Sequence, residues 1–195
     1  MIITIGREYG SGGHDIGEML SKKLELEFYD KKTLANYAKQ QGVYDEVKSF
    51  YEEDPVNSLI YALYKSEENY NLGKKSLEQI RMLIGKKPCI IIGRCANYIF
   101  KENNEHISIF IHSDIEKRVK RIAETNNIDE KKALALINET DKKRAEFHKQ
   151  YTNQIWGDSR GYNLCIDSGS IGLEQTVDFI CDYIRAKKEW QNSGK

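Results

Sequence analysis

The chain has 195 residues at 22.6 kDa, with thirty basic residues against thirty acidic ones, 39% hydrophobic and 31% charged. Balanced charge excludes the global positive field that coats a polyanion, so nucleic acid is not an expected partner. Twelve Tyr and six Phe within that apolar fraction exclude disorder, and the length suits one domain, residues 1–195, with a core and modest insertions.

The chain opens on an apolar run, Ile2-Ile3-Thr4-Ile5, without the basic n-region and h-region of a secretory leader. Apolar runs elsewhere last only a few residues, too short to cross a bilayer. A cytoplasmic protein with no membrane partner is expected.

Directly after the first run comes Gly6-Arg7-Glu8-Tyr9-Gly10-Ser11-Gly12-Gly13-His14-Asp15-Ile16-Gly17. From Asp15 to Leu24, Ile16, Met19, Leu20 and Leu24 share one helical face. A strand, a glycine-dense loop and an amphipathic helix in that order form a site for anionic phosphate. Glycines let successive N–H groups point inward, and the helix start adds partial positive charge. A plain glycine turn is the alternative. The usual phosphate loop reads G-x-x-x-x-G-K-[ST]. With Gly10-Ser11-Gly12 on the loop's end, Gly13 takes the lysine position and His14 the Ser/Thr position. Arg7 is then the candidate to supply the charge, and Ser11 the hydroxyl.

Phe28-Tyr29 is a second short apolar run. Residues 41–86 read as a helical excursion, with Leu59, Ile60, Leu63 and Tyr64 on one stripe. Cys89–Ile92 and Ile107–Ile111 carry isoleucines without polar alternation, as strands buried on both faces do. Ser113-Asp114-Ile115-Glu116 reads as a capping box opening a helix toward Asn126, in which Arg118 and Arg121, three apart, share a face. A long charged helix follows from Asp129 to about Tyr151, so that residues 117–151 form a second helical excursion. Leu164–Ile166 is the last strand. The final helix, Leu173 to about Lys188, repeats Leu173, Val177, Ile180 and Ile184 at three-to-four spacing. Strands alternating with helices predict an α/β fold whose five-stranded parallel sheet is covered on both faces.

Cys89, Cys95, Cys165 and Cys181 form no C-x-x-C pair and are expected to be reduced, buried small hydrophobes. His14, His106, His112 and His148 show no ligand spacing, so no zinc site is expected. No nucleophile elbow or Ser-His-Asp order supports a hydrolase.

Four blocks together carry a resemblance. Gly6–Gly13 resembles the G-R-E-Y-G-S-G-G signature of the cytidylate kinase-like family, a branch of the P-loop nucleoside monophosphate kinases. Phe28-Tyr29-Asp30-Lys31 fits the block after the first helix. Ile91-Ile92-Gly93-Arg94-Cys95-Ala96-Asn97-Tyr98-Ile99 fits G-R-C-A-D-Y, with Asn97 where Asp is usual. Asp141-Lys142-Lys143-Arg144, then Trp156-Gly157-Asp158 and Tyr162–Ser168, fit the closing block. The family shares the missing loop lysine.

The resemblance implies a P-loop NTPase three-layer fold and phosphoryl transfer from ATP, with Mg²⁺, to a nucleoside monophosphate, CMP or dCMP. Small-molecule nucleotides are then the partners. Gly6, Gly10, Ser11, Gly12, Gly13, His14 and Asp15 would cradle the donor. Arg94 would grip the acceptor's phosphate or base edge, the alternative being a surface Arg in a turn. Asn97 would bond a pyrimidine or cap a helix start. Asp30 would hold Mg²⁺ through water or contact the acceptor, and is equally a helix N-cap. Arg7, Arg118, Arg121 and Arg144 would neutralise charge on the transferred group, with Lys142 and Lys143 nearby and a solvated ion-paired helix as the alternative. Residues 41–86 would bind the acceptor, with Tyr44, Tyr61 or Tyr64 stacking on a base or simply packing, and residues 117–151 would form a lid. Two other readings stand beside this one: a nucleotide- or phosphate-binding module with weak or no catalysis, and a kinase of a different small acceptor.

Overall fold

A computed structural model describes residues 1–44, 77–85, 87–93 and 95–194 of the chain. Most of the 41–86 excursion, including Leu59, Ile60, Tyr61, Leu63 and Tyr64, and also Arg94, lies outside the described residues.

The apolar runs form five strands: β1 (Ile2–Arg7), β2 (Glu27–Tyr29), β3 (Cys89–Ile92), β4 (His106–His112) and β5 (Leu164–Asp167). All neighbouring strands pair in parallel, in the order β2-β3-β1-β4-β5. Helix α1 spans Gly13–Leu24, α2 Lys31–Gln40, α3 Ala96–Ile99, α4 Ile115–Asn126, α5 Glu130–Thr152, α6 Ser168–Ile171 and α7 Leu173–Asn192. Residues 77–84 are also helical.

Strand alternation sorts the isoleucines to two faces. Ile3, Ile5, Ile90, Ile92, Ile107, Ile109 and Ile111 pack against Ile16 and Leu20 of α1 and Val177, Ile180 and Ile184 of α7. Ile2, Cys89 and Ile91 face the other way, against Leu34 and Ala38 of α2, Leu77, Ile80 and Ile84, and Ile99 and Phe100. A third cluster, Ile122 with Ala133 and Ile137, joins α4 to α5 off the sheet and also takes Tyr9.

Three local expectations change. The capping box at Ser113 does not form: Asp114 is the N-cap, with no side-chain bond, because the Ser113 N–H already donates to the Glu8 carboxylate at 3.1 Å. Asn97 does not cap α3, because Cys95 holds the N-cap place in a left-handed conformation (φ 53°) and Asn97 falls inside the helix. Cys89 and Cys95 are buried, but Cys181 is half-buried and Cys165 exposed. Cys165 lies on β5, an edge strand of the sheet.

Candidate functional site

The sheet's order turns at β1: its flanking strands are β3 on one side and β4 on the other. In open α/β sheets the crevice beyond the carboxyl ends of strands at such a point is where ligands bind. The glycine loop occupies that place.

The loop is anchored from several sides. The Glu8 N–H donates to the Ile111 carbonyl at 3.0 Å, continuing the β1–β4 pairing for one residue. Ser11 is 1% exposed, and its hydroxyl donates to the Glu8 carbonyl at 2.9 Å. The Ser168 hydroxyl donates to the Ser11 carbonyl at 2.6 Å from beneath. Ser11 Oγ is therefore turned into the loop's own scaffold, away from the role of a metal-facing hydroxyl. Among the described residues the N–H groups of Gly10, Gly12, Gly13 and His14 donate no hydrogen bond. Gly10 and Gly12 have φ of 83° and 76°, which L side chains rarely adopt. Gly12 is the N-cap of α1, so the free N–H groups of Gly13 and His14 belong to the first turn of the helix, where its partial positive charge lies.

Arginines surround this loop in different ways. The Arg7 side chain leaves the end of β1, passes over Gly13 and carries its guanidinium to Gly93 at the end of β3. A Cβ on Gly13 would come within 2.5 Å of Arg7 Cβ and 2.9 Å of its Cγ. The residue that would normally be the loop lysine is thus glycine because the Arg7 stem fills its space. Arg121 lies against Gly12, where a Cβ would come within 2.5 Å of its Nη1, and sits 4.0 Å from the Asp15 carboxylate. Arg144 donates to the Arg7 carbonyl at 3.0 Å and covers the Tyr9 ring at 5.5 Å.

Arg118 is built in differently from a solvent-facing lid cation. It is 9% exposed, its Nη1 donates to Asp141 at 2.6 Å and to the Tyr9 carbonyl at 3.3 Å, and its Nε lies 3.4 Å from Glu8 without a hydrogen bond. Asp141 also accepts the Tyr9 N–H at 2.8 Å and lies 3.8 Å from Arg144. One carboxylate near the middle of α5 therefore ties both long helices to the glycine loop. Glu8 and Asp141 are the residues of this site that reading the sequence misses as site residues, although each stands inside a block quoted for the resemblance. Lys142 and Lys143 face away, each beside a glutamate four residues off.

Asp30 reaches the loop from α2. It is that helix's N-cap: its carboxylate accepts the Thr33 N–H and hydroxyl, both at 2.8 Å. Its other oxygen lies 3.4 Å from His14 Nε2. Partial burial pushes the Asp30 carboxyl up, but the Thr33 bonds and His14 outweigh it and hold the group below the usual carboxylate range. Asn97 lines a separate polar cavity with Lys101 and His106. Among the described residues no cluster of three or more His, Cys, Asp or Glu is arranged to hold a metal ion.

A family model described as the cytidylate kinase-like family matches residues 2–170. The chain is 25% identical over 186 residues to a cytidylate kinase of Sulfurisphaera tokodaii, covering 94% of this chain and 95% of that one. A cytidylate kinase of Archaeoglobus fulgidus is 26% identical over 195 residues, with 96% and 97% covered. Among solved structures, an uncharacterised protein from Eubacterium ventriosum superposes with a TM-score of 0.74 at 31% identity, covering 95% of this chain and 98% of that one. A gluconokinase from Sinorhizobium meliloti shares the fold alone, with a TM-score of 0.57 at 13% identity over 99% and 96% of the two chains.

Proposed function

The chain belongs to the cytidylate kinase-like family, and from that membership we propose that it transfers the terminal phosphoryl of ATP to a nucleoside monophosphate, CMP or dCMP. The observation that carries the reading is that the N–H groups of Gly10, Gly12, Gly13 and His14 donate no hydrogen bond among the described residues while Arg121 lies against Gly12. Main-chain donors at a helix start bind phosphate oxygens without any movement of their own, so they stabilise charge as it develops.

In this account Gly6 shapes the loop's entry, the N–H groups take the donor phosphates, and Asp15 orients Arg121. Arg7 supplies the cation that the loop lysine supplies elsewhere, reaching from the donor side toward β3. Arg144 adds a second cation held over Tyr9. Arg118, closed in by Glu8 and Asp141, is a positioning residue that fixes α4 and α5 on the loop. His14 lends a proton donor when charged. Asp30, at the acceptor side, fits Mg²⁺ through water, and Asp15 is a further carboxylate beside the loop; Ser11 does not fit that ion, since it is buried in the loop's own scaffold. Bound with ATP, Mg²⁺ would neutralise the triphosphate. Arg94 and residues 41–86 would complete the acceptor pocket, and residues 117–151 the lid.

A second reading keeps nucleotide binding but little turnover, and Gly13 in the position of the loop lysine favours it. An acceptor panel separates the two: CMP, dCMP, UMP, AMP and non-nucleotide alcohols are supplied with ATP–Mg²⁺, and ADP release is coupled to a colour change. The first reading expects ADP formation with CMP or dCMP, falling about 10²-fold or more in Arg7→Ala. ATP binding without ADP formation from any monophosphate establishes the second reading. Turnover undiminished in Arg7→Ala removes Arg7 from the catalytic set.

A further inference from the structure

Nothing in the phosphotransfer scheme uses an open cavity of about 340 Å³ beneath the amino ends of β4 and β5. Its far rim is Lys187. Helix α7 starts with Leu173 against Gly12 and reaches Lys187 fourteen residues later, about 21 Å away at 1.5 Å per residue. The cavity thus extends to the end of the sheet opposite the glycine loop.

Its floor breaks the rule that the central strands of a covered parallel sheet are apolar on both faces. One face of β1 and β4 obeys it with Ile3, Ile5, Ile107, Ile109 and Ile111. The other carries Thr4, His106 and Ser108, all buried. These groups are organised: Thr4 Oγ1 and His106 Nε2 lie 2.8 Å apart, and Ser108 N–H donates to Asn163 Oδ1 at 2.9 Å. The Asn163 amide is fixed with its oxygen committed to the strand, and its NH₂ group donates to nothing among the described residues.

The walls hold four asparagines, two lysines and one arginine, and no carboxylate. Arg160 is neutralised by Asp158, and Lys101 lies 3.8 Å from Glu102. Lys187 is different. Its ammonium is half-buried, donates to the His106 carbonyl at 2.9 Å, and among the described residues has no carboxylate within ion-pair reach. Burial lowers its pKa, with no counter-charge offsetting that. An ammonium held without a counter-ion beside free amide donors favours an oxyanion.

We propose that this cavity is a second anion site that takes a small organic phosphate no larger than a nucleoside monophosphate, with Lys187 and the Asn163 amide as its principal donors. The volume lies near the lower end of the range for small-molecule pockets, which sets the size limit. Such a site, remote from the loop, would let a phosphorylated metabolite bind without competing with ATP.

Amide ¹H–¹⁵N spectra of the full chain, titrated separately with inorganic phosphate, CMP and citrate, test it. Shifts at Asn104, His106 and Asn163 report this cavity, and shifts at residues 10–14 report the loop, so failure here is distinct from failure of the kinase reading. CMP or phosphate should move the cavity signals. Lys187→Met should weaken that binding about tenfold or more with an unchanged unfolding midpoint, whereas Lys187→Arg should retain it within about threefold. The proposal is overturned if the cavity signals stay still, if Lys187→Met binds as the wild type does, or if citrate matches phosphate and CMP.

Discussion

Replacing Gly13 by alanine should reverse the usual effect of that exchange. Near a helix start, Gly→Ala ordinarily stabilises by about 0.4–1 kcal/mol, because the unfolded chain loses freedom. Gly13 has no positive φ, so its backbone does not forbid alanine. Space does: the new Cβ would lie 2.5 Å from Arg7 Cβ and 2.9 Å from Cγ, against a normal carbon–carbon contact of about 3.5–4.0 Å. Arg7 Cβ is fixed to β1, which is paired with β4 opposite Ile111, and cannot swing aside as a side-chain tip would. Overpacking of this kind costs about 1–3 kcal/mol, which leaves a net loss near 1–2 kcal/mol. Urea unfolding of Gly13→Ala, Arg7→Gly and the double variant closes a cycle. A coupling of about 2 kcal/mol is expected, with alanine neutral or stabilising once residue 7 has no Cβ. A Gly13→Ala protein as stable as the wild type would refute the steric account of why this loop has no lysine.

Three further outcomes follow from named contacts. Asp141→Ala leaves Arg118 buried with Glu8 as its one carboxylate and should destabilise by about 2–4 kcal/mol in urea, while Asp141→Asn, which still accepts the Tyr9 N–H, should lose less; equal losses would contradict the charge role given to Asp141. Burial, with Lys187 nearby, lowers His106 to about 4, and burial lowers His148 to about 4. The unfolded chain therefore binds more protons between about pH 6.5 and 4, so stability is full above pH 6.5 and declines below it, by up to about 1.4 kcal/mol per pH unit for each histidine. Unfolding midpoints at pH 7, 6 and 5 should show that decline, and His106→Asn should roughly halve it; a flat profile counts against it. With a thiol reagent on the native protein, Cys165 should react first and Cys89, pushed up to about 12 by burial, last, by about tenfold or more; equal rates would mean that β5 is covered.

Much of the scaffold was readable because its signals are local. Isoleucine runs without polar alternation marked β1, β3 and β4, and the three-to-four spacing of Val177, Ile180 and Ile184 marked α7, though the helix runs four residues past Lys188 to Asn192. Asp30 as an N-cap was also readable, since Asp30 and Thr33 are close in the chain. The contacts that shape the site join residues far apart. Tyr9 to Asp141 spans 132 positions, and no local pattern announces it. The same holds for Ser113, whose N–H is taken by Glu8 across 105 positions, cancelling a capping box that looks sound in isolation. Gly13 reads as a missing lysine until the course of Arg7 is seen. Cys165 resembled the other strand cysteines because an edge strand and a central one look alike over four residues. Arg118 and Arg121 share a helical face, yet one is buried in a charge cluster and the other lies against Gly12, a division decided by where α5 packs.

The central claim is that main-chain N–H groups of the loop hold a nucleotide's phosphates. A crystal structure of the protein grown with ADP and Mg²⁺ tests it most directly. Phosphate oxygens should lie within about 3.2 Å of the nitrogens of Gly12, Gly13 and at least one of Gly10 and His14, with the Arg121 guanidinium beside them. ADP bound with its phosphates elsewhere, or those nitrogens facing solvent in the complex, would contradict the account.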